Sequence, residues 1–491
     1  MRRSILVALF VFSAWLPLPP TPWQASYHQL QAGAQEYPEA PTPDQIRAGL
    51  SALQDRAYTL YPEPFRRHSM EEWRRRVIEA KGRADHMTPA GLFVEVARLI
   101  GLLNDAHSWA AVDDDSRLFS RAVLLRFWKF EDGLYIRAAA PEFSDCVGAR
   151  ILSVGGLPID EALARIMDIQ PGANSMIALK TAQIFLEIPE FLQAIGLAAN
   201  ADELSLDLQP ANGARRIITV PAVRYKNLGE VFDAANGFAT PEGWIESPGT
   251  SVLWLHRRKE AFWFECLPDH RTIYAQINQS FEDPENPYQA KRNRFGEFLD
   301  RLFASIKADS IDRLIIDLRH NPGGEEPLWQ PLVHRLIRAE KINVPGRLFI
   351  ITGRLTESAP VAWAAKIEGE TKALFVGEET ASPPNFYNDP AGRLRETFRI
   401  PGSYVNYRIA RQLEIWSVPS DLREGILPDI PAPLAYADFV QGRDPALEAI
   451  SKIDPGTAAS FFLTRSGIDT TDREWQHYRR KSQDAARHNT Y

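Results

Sequence analysis

The sequence predicts an α/β protein: a small N-terminal helical domain, a β-rich middle domain, and an α/β core with a mainly parallel sheet. Three observations predict it. Helical spacing governs residues 43–104, alternation with period two governs 120–225, and from 251 onward short apolar strands alternate with amphipathic helices. At 491 residues and 45% hydrophobic content, the chain can build more than one core. Its 56 basic and 63 acidic residues nearly balance, with a net charge of -7 and no long basic stripe, which argues against a nucleic-acid partner.

The first element is a leader. Arg2 and Arg3 precede an apolar run from Ile5 to Leu16, and prolines follow at 17, 19, 20 and 22. That run is too short to span a bilayer core of about 30 Å, so residues 1–25 have the shape of a signal peptide. The boundary extends up to 34 if the small-x-small pattern of Ala32, Gly33 and Ala34 is used. An exported protein is therefore expected, in the periplasm, in the cell envelope or outside the cell, with an uncleaved anchor as the alternative.

Residues 40–118 form the expected helical domain. Helix starts are marked by Thr42 to Asp44, by Ser69, and by Thr88 followed by Pro89. Leu50, Leu53, Ala57 and Leu60 supply one apolar stripe, and Leu92, Val96, Leu99 and Leu103 another. The last helix delivers Asn104 to His107 to a loop or strand start. In 119–225 the runs RAVLLRFWKF, GLYIRAA, ARILSVGG and RRIITVPA read as strands. The piece VGARILSVGGLPIDEALARI resembles the second half of a PDZ module but lacks a clear carboxylate-binding loop. A degenerate PDZ-like domain is expected, with an inserted helical stretch from about 174 to 197. Gly, Pro and Asn make 226–250 a linker, 251–454 is the α/β core, and 455–491 is a polar tail.

Two strand ends in the core carry chemistry-bearing residues. In DRLIIDLRHNPGG an apolar strand runs into Asn321, Pro322, Gly323 and Gly324, a tight turn whose N–H groups can approach a ligand without a Cβ in the way. In RLFIITGRLTESAPVAWAAK a second strand gives way to an alanine-rich helix at Ser358. Each has an ordinary reading: the glycines as a plain turn, Ser358 as a helix N-cap. Together with LNDAHSWA around His107 and REGILPDI near 427, these segments resemble peptidase family S41, the carboxyl-terminal processing and tricorn-like serine proteases, over roughly residues 45–450.

The resemblance implies that Ser358 is a nucleophile, which needs a base and donors for the oxyanion. Processing enzymes of the family use a lysine a couple of dozen residues beyond the serine. Here GEET, Gly377 to Thr380, is followed by Ala381, Ser382, Pro383, Pro384 and Asn385, with no lysine. Lys366 lies about 12 Å from Ser358 along a helix, too far for proton transfer. The tricorn-like branch implies His107 as base, an imidazole being suited to that work near neutral pH, and Glu424 as the carboxylate. Ala106 stands where tricorn carries a serine beside the histidine, so Ser108, Asp105 or Glu424 itself are the alternatives for orienting the ring. Glu424 has an ordinary reading too, as a loop carboxylate paired with Arg423 or Arg411.

The same resemblance implies Gly323 or Gly324, with Ala359, as oxyanion-hole N–H donors. Asn385 is a candidate substrate-binding residue, whereas Asp317 and Arg319 read as a structural pair in the strand turn. The expected activity is that of a serine-type endopeptidase acting on peptide or protein substrates through an acyl-enzyme, with no metal and no cofactor. A non-catalytic ligand- or peptide-binding protein on the same scaffold is the alternative, and another acyl hydrolase stays open. The absence of a GxSxG elbow argues only against the α/β-hydrolase version. The two cysteines, Cys146 and Cys266, have no metal-like or redox-like spacing and are expected to be buried free thiols, with one disulfide between them as the alternative in an exported protein.

Overall fold

The computed structural model describes residues 40–113, 116–224, 240–249, 252–286, 291–307, 310–389 and 396–454. The expected leader, most of the expected linker and the polar tail lie outside them.

Local signals start the N-terminal helices where the sequence predicts. Thr42 and Gln45 form a capping box at the start of Pro43–Leu60, satisfying donors that the first turn would leave orphaned. The hydroxyls of Ser69 and Thr88 accept from the N–H groups of Glu72 and Gly91 and so start Met70–Gly82 and Pro89–Gly101. Helix Pro89–Gly101 is buried along most of its length. The chain leaves it through Asn104, which adopts φ +49°, and reaches strand Trp109–Val112 by way of His107.

The middle region is antiparallel. Strands Arg121–Val123, Arg216–Arg224, Glu203–Gln209, Arg150–Val154, Gly133–Ala139 and Leu125–Phe130 follow one another across the sheet. The end of the expected linker joins them, since Ile245 and Glu246 pair with Ala139 and Ala138. Helices Ser175–Phe185 and Pro189–Ala194 occupy the expected insertion. The N-terminal helices share one apolar core with this sheet and with Tyr387, Ile400, Val405, Tyr407 and Ile409 from far down the chain. Pairing explains the last contribution: Val405–Arg408 lies antiparallel to both Trp109–Val112 and Thr397–Arg399.

The core sheet runs Phe262–Cys266, Thr272–Ile277, Arg313–Asp317, Leu348–Thr352, Leu374–Gly377, Ile430–Pro431; only the first pair is antiparallel. Its central strands are buried along almost their whole length and mostly apolar because both faces are covered. One face packs on helices Arg294–Ile306, Trp329–Arg338 and Ala359–Glu370, the other on Pro445–Ser451 through Ala446 and Ile450. All 12 residues of Ala359–Glu370 are buried, which fixes the strand-to-helix turn before it firmly in place. Cys146 is a buried free thiol as expected; Cys266 is free but exposed, because it ends the edge strand Phe262–Cys266.

Candidate active site

Ser358 sits between strand Leu348–Thr352 and helix Ala359–Glu370 with φ +66° and ψ -123°, a conformation an L-residue adopts only under constraint. Its hydroxyl makes no capping bond to the helix, so the ordinary N-cap reading does not describe it. The constraint is a set of short bonds. The Thr356 hydroxyl donates to the Leu318 carbonyl and accepts from Gly353 N–H, Glu357 N–H donates to the Asn321 carbonyl, and Ala381 N–H donates to the Thr356 carbonyl. The Ser358 N–H donates to the Ser382 hydroxyl at 3.2 Å. Ser382 thus stands 24 residues beyond Ser358 and holds the turn by its hydroxyl.

The imidazole comes from 251 residues away in sequence. His107 Nε2 lies 3.1 Å from Ser358 Oγ, within proton-transfer reach. The segment is held by Asp105, whose Oδ1 accepts from the N–H groups of both His107 and Ser108. Ser108 Oγ accepts from Ala410 N–H, and the imidazole stacks on Phe386 with centroids 5.2 Å apart. Asp105 is buried, and burial raises its carboxyl above the usual carboxylate range against the hydrogen bonds it accepts. It therefore supports the backbone on which the imidazole sits.

The Gly-Gly turn adjoins the serine. A Cβ on Gly324 would come within 2.2 Å of the Ser280 carbonyl oxygen, which leaves no room for a side chain, and one on Gly323 would press on Ser358 Cβ at 3.1 Å. Both glycines have positive φ, +124° and +146°. The two differ as donors. Gly323 N–H is taken by the Asn321 side chain at 3.1 Å, an Asx-type bond within the turn, which removes it as an oxyanion donor. Among the described residues the N–H groups of Gly324 and Ala359 make no hydrogen bond; Ala359 opens its helix, where N–H groups have no intrahelical partner.

Two of the expected site residues lie elsewhere in the network. The Glu424 carboxylate pairs with Arg67, is half exposed, and does not reach the imidazole; nor is it held by Arg423, which binds Glu368 and Asp421. Arg67 lies 357 residues away in sequence, a contact no local pattern announces. Asn385 is a structural clamp. Its Nδ2 donates to the Val418 and Asp421 carbonyls and its Oδ1 accepts from the N–H groups of Trp416 and Ser417, leaving nothing to offer a substrate. Asp317 and Arg319 do pair in the strand turn, and Arg319 continues to Asp444.

A lysine lies on the same helix. Lys366 is buried on the helix that Ser358 precedes, with its ammonium 5.3 Å from the Trp329 ring and 6.0 Å from that of Trp416. Burial, against the pull of Glu370, lowers it to about 8.

A serine on a constrained turn at the end of a parallel strand, with an imidazole at its hydroxyl and a glycine turn beside it, belongs to a mixed α/β fold of the S41-protease type. Among solved structures, mature CPAF shares this fold: 15% identity, a TM-score of 0.54, 87% of this chain and 99% of that one covered. Mature CPAF complexed with lactacystin matches at 13% identity and a TM-score of 0.53, over 86% and 99% of the two chains. Tricorn protease also matches, at 14% identity and a TM-score of 0.35, covering 86% of this chain and 37% of that one. These neighbours are consistent with family S41. No family model matches the sequence, and no curated protein does.

Proposed function

We propose that the chain is a serine-type peptidase that cleaves peptide or protein substrates through an acyl-enzyme. The observation that carries this reading is the 3.1 Å approach of His107 Nε2 to Ser358 Oγ on a turn whose serine makes no capping bond. In this mechanism His107 takes the hydroxyl proton as Ser358 Oγ attacks the scissile carbonyl. The N–H groups of Ala359 and Gly324 receive the oxyanion, and the protonated imidazole then gives its proton to the departing amine. Water repeats the sequence to free the acyl group. Asp105 acts through the backbone of His107, and the site works without Glu424 on the imidazole.

Reaction with a fluorophosphonate tests the nucleophile, and lactacystin, found in complex with mature CPAF, is a second probe of the same serine. Labelling of the wild type, and its loss in Ser358→Ala and His107→Ala with the fold intact, is the expected result; equal labelling of all three proteins contradicts it. The leader-like amino terminus further supports export. Mature protein from the native host should then begin between about residues 23 and 36, and intact Met1 in a soluble cytoplasmic fraction would show otherwise.

A further inference from the structure

The Gly-Gly turn is gripped from the side opposite the nucleophile. In the core sheet, strand Arg313–Asp317 lies between Thr272–Ile277 and Leu348–Thr352, all three parallel. The chain beyond the strand ends keeps that order: Gly324 pairs with Ser280 on one side, while Gly323 lies against Ser358 on the other. In the pairing, Ser280 N–H donates to the Gly323 carbonyl at 3.1 Å and Glu325 N–H donates to the Ser280 carbonyl at 2.5 Å. A trans peptide holds its C=O and N–H in opposite directions, and the peptide between the glycines is trans. With the Gly323 carbonyl drawn toward Ser280, the Gly324 N–H is turned to the other side, where Ser358 stands.

Asn321 locks this arrangement. It is 0% exposed, and its Oδ1 accepts from the Gly323 N–H at 3.1 Å and from the Ser280 hydroxyl at 3.2 Å. Its backbone carbonyl accepts from Glu357 N–H at 3.2 Å. Two oxygens of one residue thus join three strand ends. The side-chain atom at Gly323 is fixed as the oxygen, because a backbone N–H can only donate. The amide is left incomplete by this: Asn321 Nδ2 is buried and has no hydrogen-bond partner among the described residues, which disfavours the folded state. A buried donor left unmade beside a reactive serine is accounted for by what the acceptor on the same side chain does.

We propose that Asn321, braced by Ser280, is a positioning residue for the reaction: it takes the Gly323 N–H out of the site and aims the Gly324 N–H at the oxyanion, without itself touching substrate. The inference rests on the serine-peptidase reading and deepens it. The oxyanion exists only once Ser358 Oγ bonds to the carbonyl carbon, so a misaimed Gly324 donor weakens binding of the transition state and not of the substrate. The signature is a fall in kcat with KM unchanged. An aspartate would accept the same two bonds but set a negative charge beside the developing one, which is why an amide suits the place.

The test measures hydrolysis of a peptide, and inhibition by a peptide aldehyde, whose tetrahedral adduct carries the same oxyanion. Asn321→Ala, verified as folded by its thermal midpoint, should lower kcat by about 10–10² and weaken the aldehyde by a similar factor. KM should stay within about twofold. Asn321→Ser, whose hydroxyl can accept the Gly323 N–H, should regain part of both losses. Because the alanine variant can fail to fold, a crystal structure of the wild-type aldehyde adduct gives an independent reading. The adduct oxygen is expected within hydrogen-bond distance of Gly324 N and Ala359 N, with Gly323 N still on Asn321. Wild-type kcat and aldehyde affinity in folded Asn321→Ala, or an adduct oxygen held by Gly323 N, would overturn the assignment while leaving the peptidase reading in place. Wild-type protein without any hydrolysis that depends on Ser358 would remove that reading, and this inference with it.

Discussion

At the scale of single residues, the decisive quantity is the backbone of Ser358. A φ of +66° favours glycine, so the turn stores strain that its hydrogen-bonded surroundings sustain. Ser358→Ala should abolish activity and leave the thermal midpoint within a few degrees, and Ser358→Gly should be more stable than Ser358→Ala by about 1 kcal/mol in denaturant titrations. An N-capping serine would give the reverse, activity retained and about 1 kcal/mol lost on changing it to alanine. Asn385 makes the complementary case. Four bonds tie it to the 416–421 segment, so Asn385→Ala should cost about 1–3 kcal/mol of stability while leaving KM on short peptides unchanged. An altered KM in a fully stable variant would return it to the substrate site. The turn glycines and Ser358 stand out in sequence because special backbone positions leave a compositional mark. The roles of Asn385 and Glu424 do not, because their partners Trp416, Val418 and Arg67 are set by tertiary folding.

Elements carry the next level. Helix starts at Ser69 and Thr88 were readable because a cap is a local bond between residues three apart. The core strands were readable because burial on both faces makes their inner residues, such as Leu314 to Ile316 and Leu348 to Ile351, a run of apolar side chains. The pairing of Val405–Arg408 with Trp109–Val112 was not, since nothing local to either strand names a partner almost three hundred residues away. On helix Ala359–Glu370, full burial includes a lysine. The Lys366 ammonium is disfavoured in the folded protein, at about 8 against an ordinary 10.5. Between those two values the unfolded chain holds the extra proton, so stability rises with pH across that window, by something on the order of 2–3 kcal/mol. Lys366→Met should remove that rise and be at least as stable as the wild type at neutral pH, as measured by denaturant midpoints from pH 7 to 10.5. An unchanged pH dependence would mean that the amine is solvated.

For the whole molecule, the site is an assembly of distant pieces. The imidazole arrives on the loop after the N-terminal helices, the serine on the core, and the antiparallel region braces the turn between them. Arg354, in that turn, donates to the Lys129 carbonyl, packs over Trp128 and pairs with Glu378, while Lys180 pairs with Glu357. Arg354→Ala should therefore weaken the grip of the antiparallel region on the turn. The expected result is a kcat at least tenfold lower with the core still folded, as judged by tryptophan fluorescence and by steady-state assay; an unchanged kcat would show that the turn stands by itself. The division into a helical region, a β-rich region and an α/β core was visible as changes of hydrophobic period along the chain. That the first two share one core, with strands returned to them from the third, depends on packing between surfaces and leaves no periodic trace.

The central claim is that Ser358 is an activated nucleophile because His107 reaches its hydroxyl. Mass spectrometry of the fluorophosphonate-treated protein tests it most directly, by locating the modified side chain. The modification is expected on the peptide containing Ser358, at a rate lowered by about 10² or more in His107→Gln. Modification of a different serine, or a His107→Gln rate equal to that of the wild type, would contradict the claim.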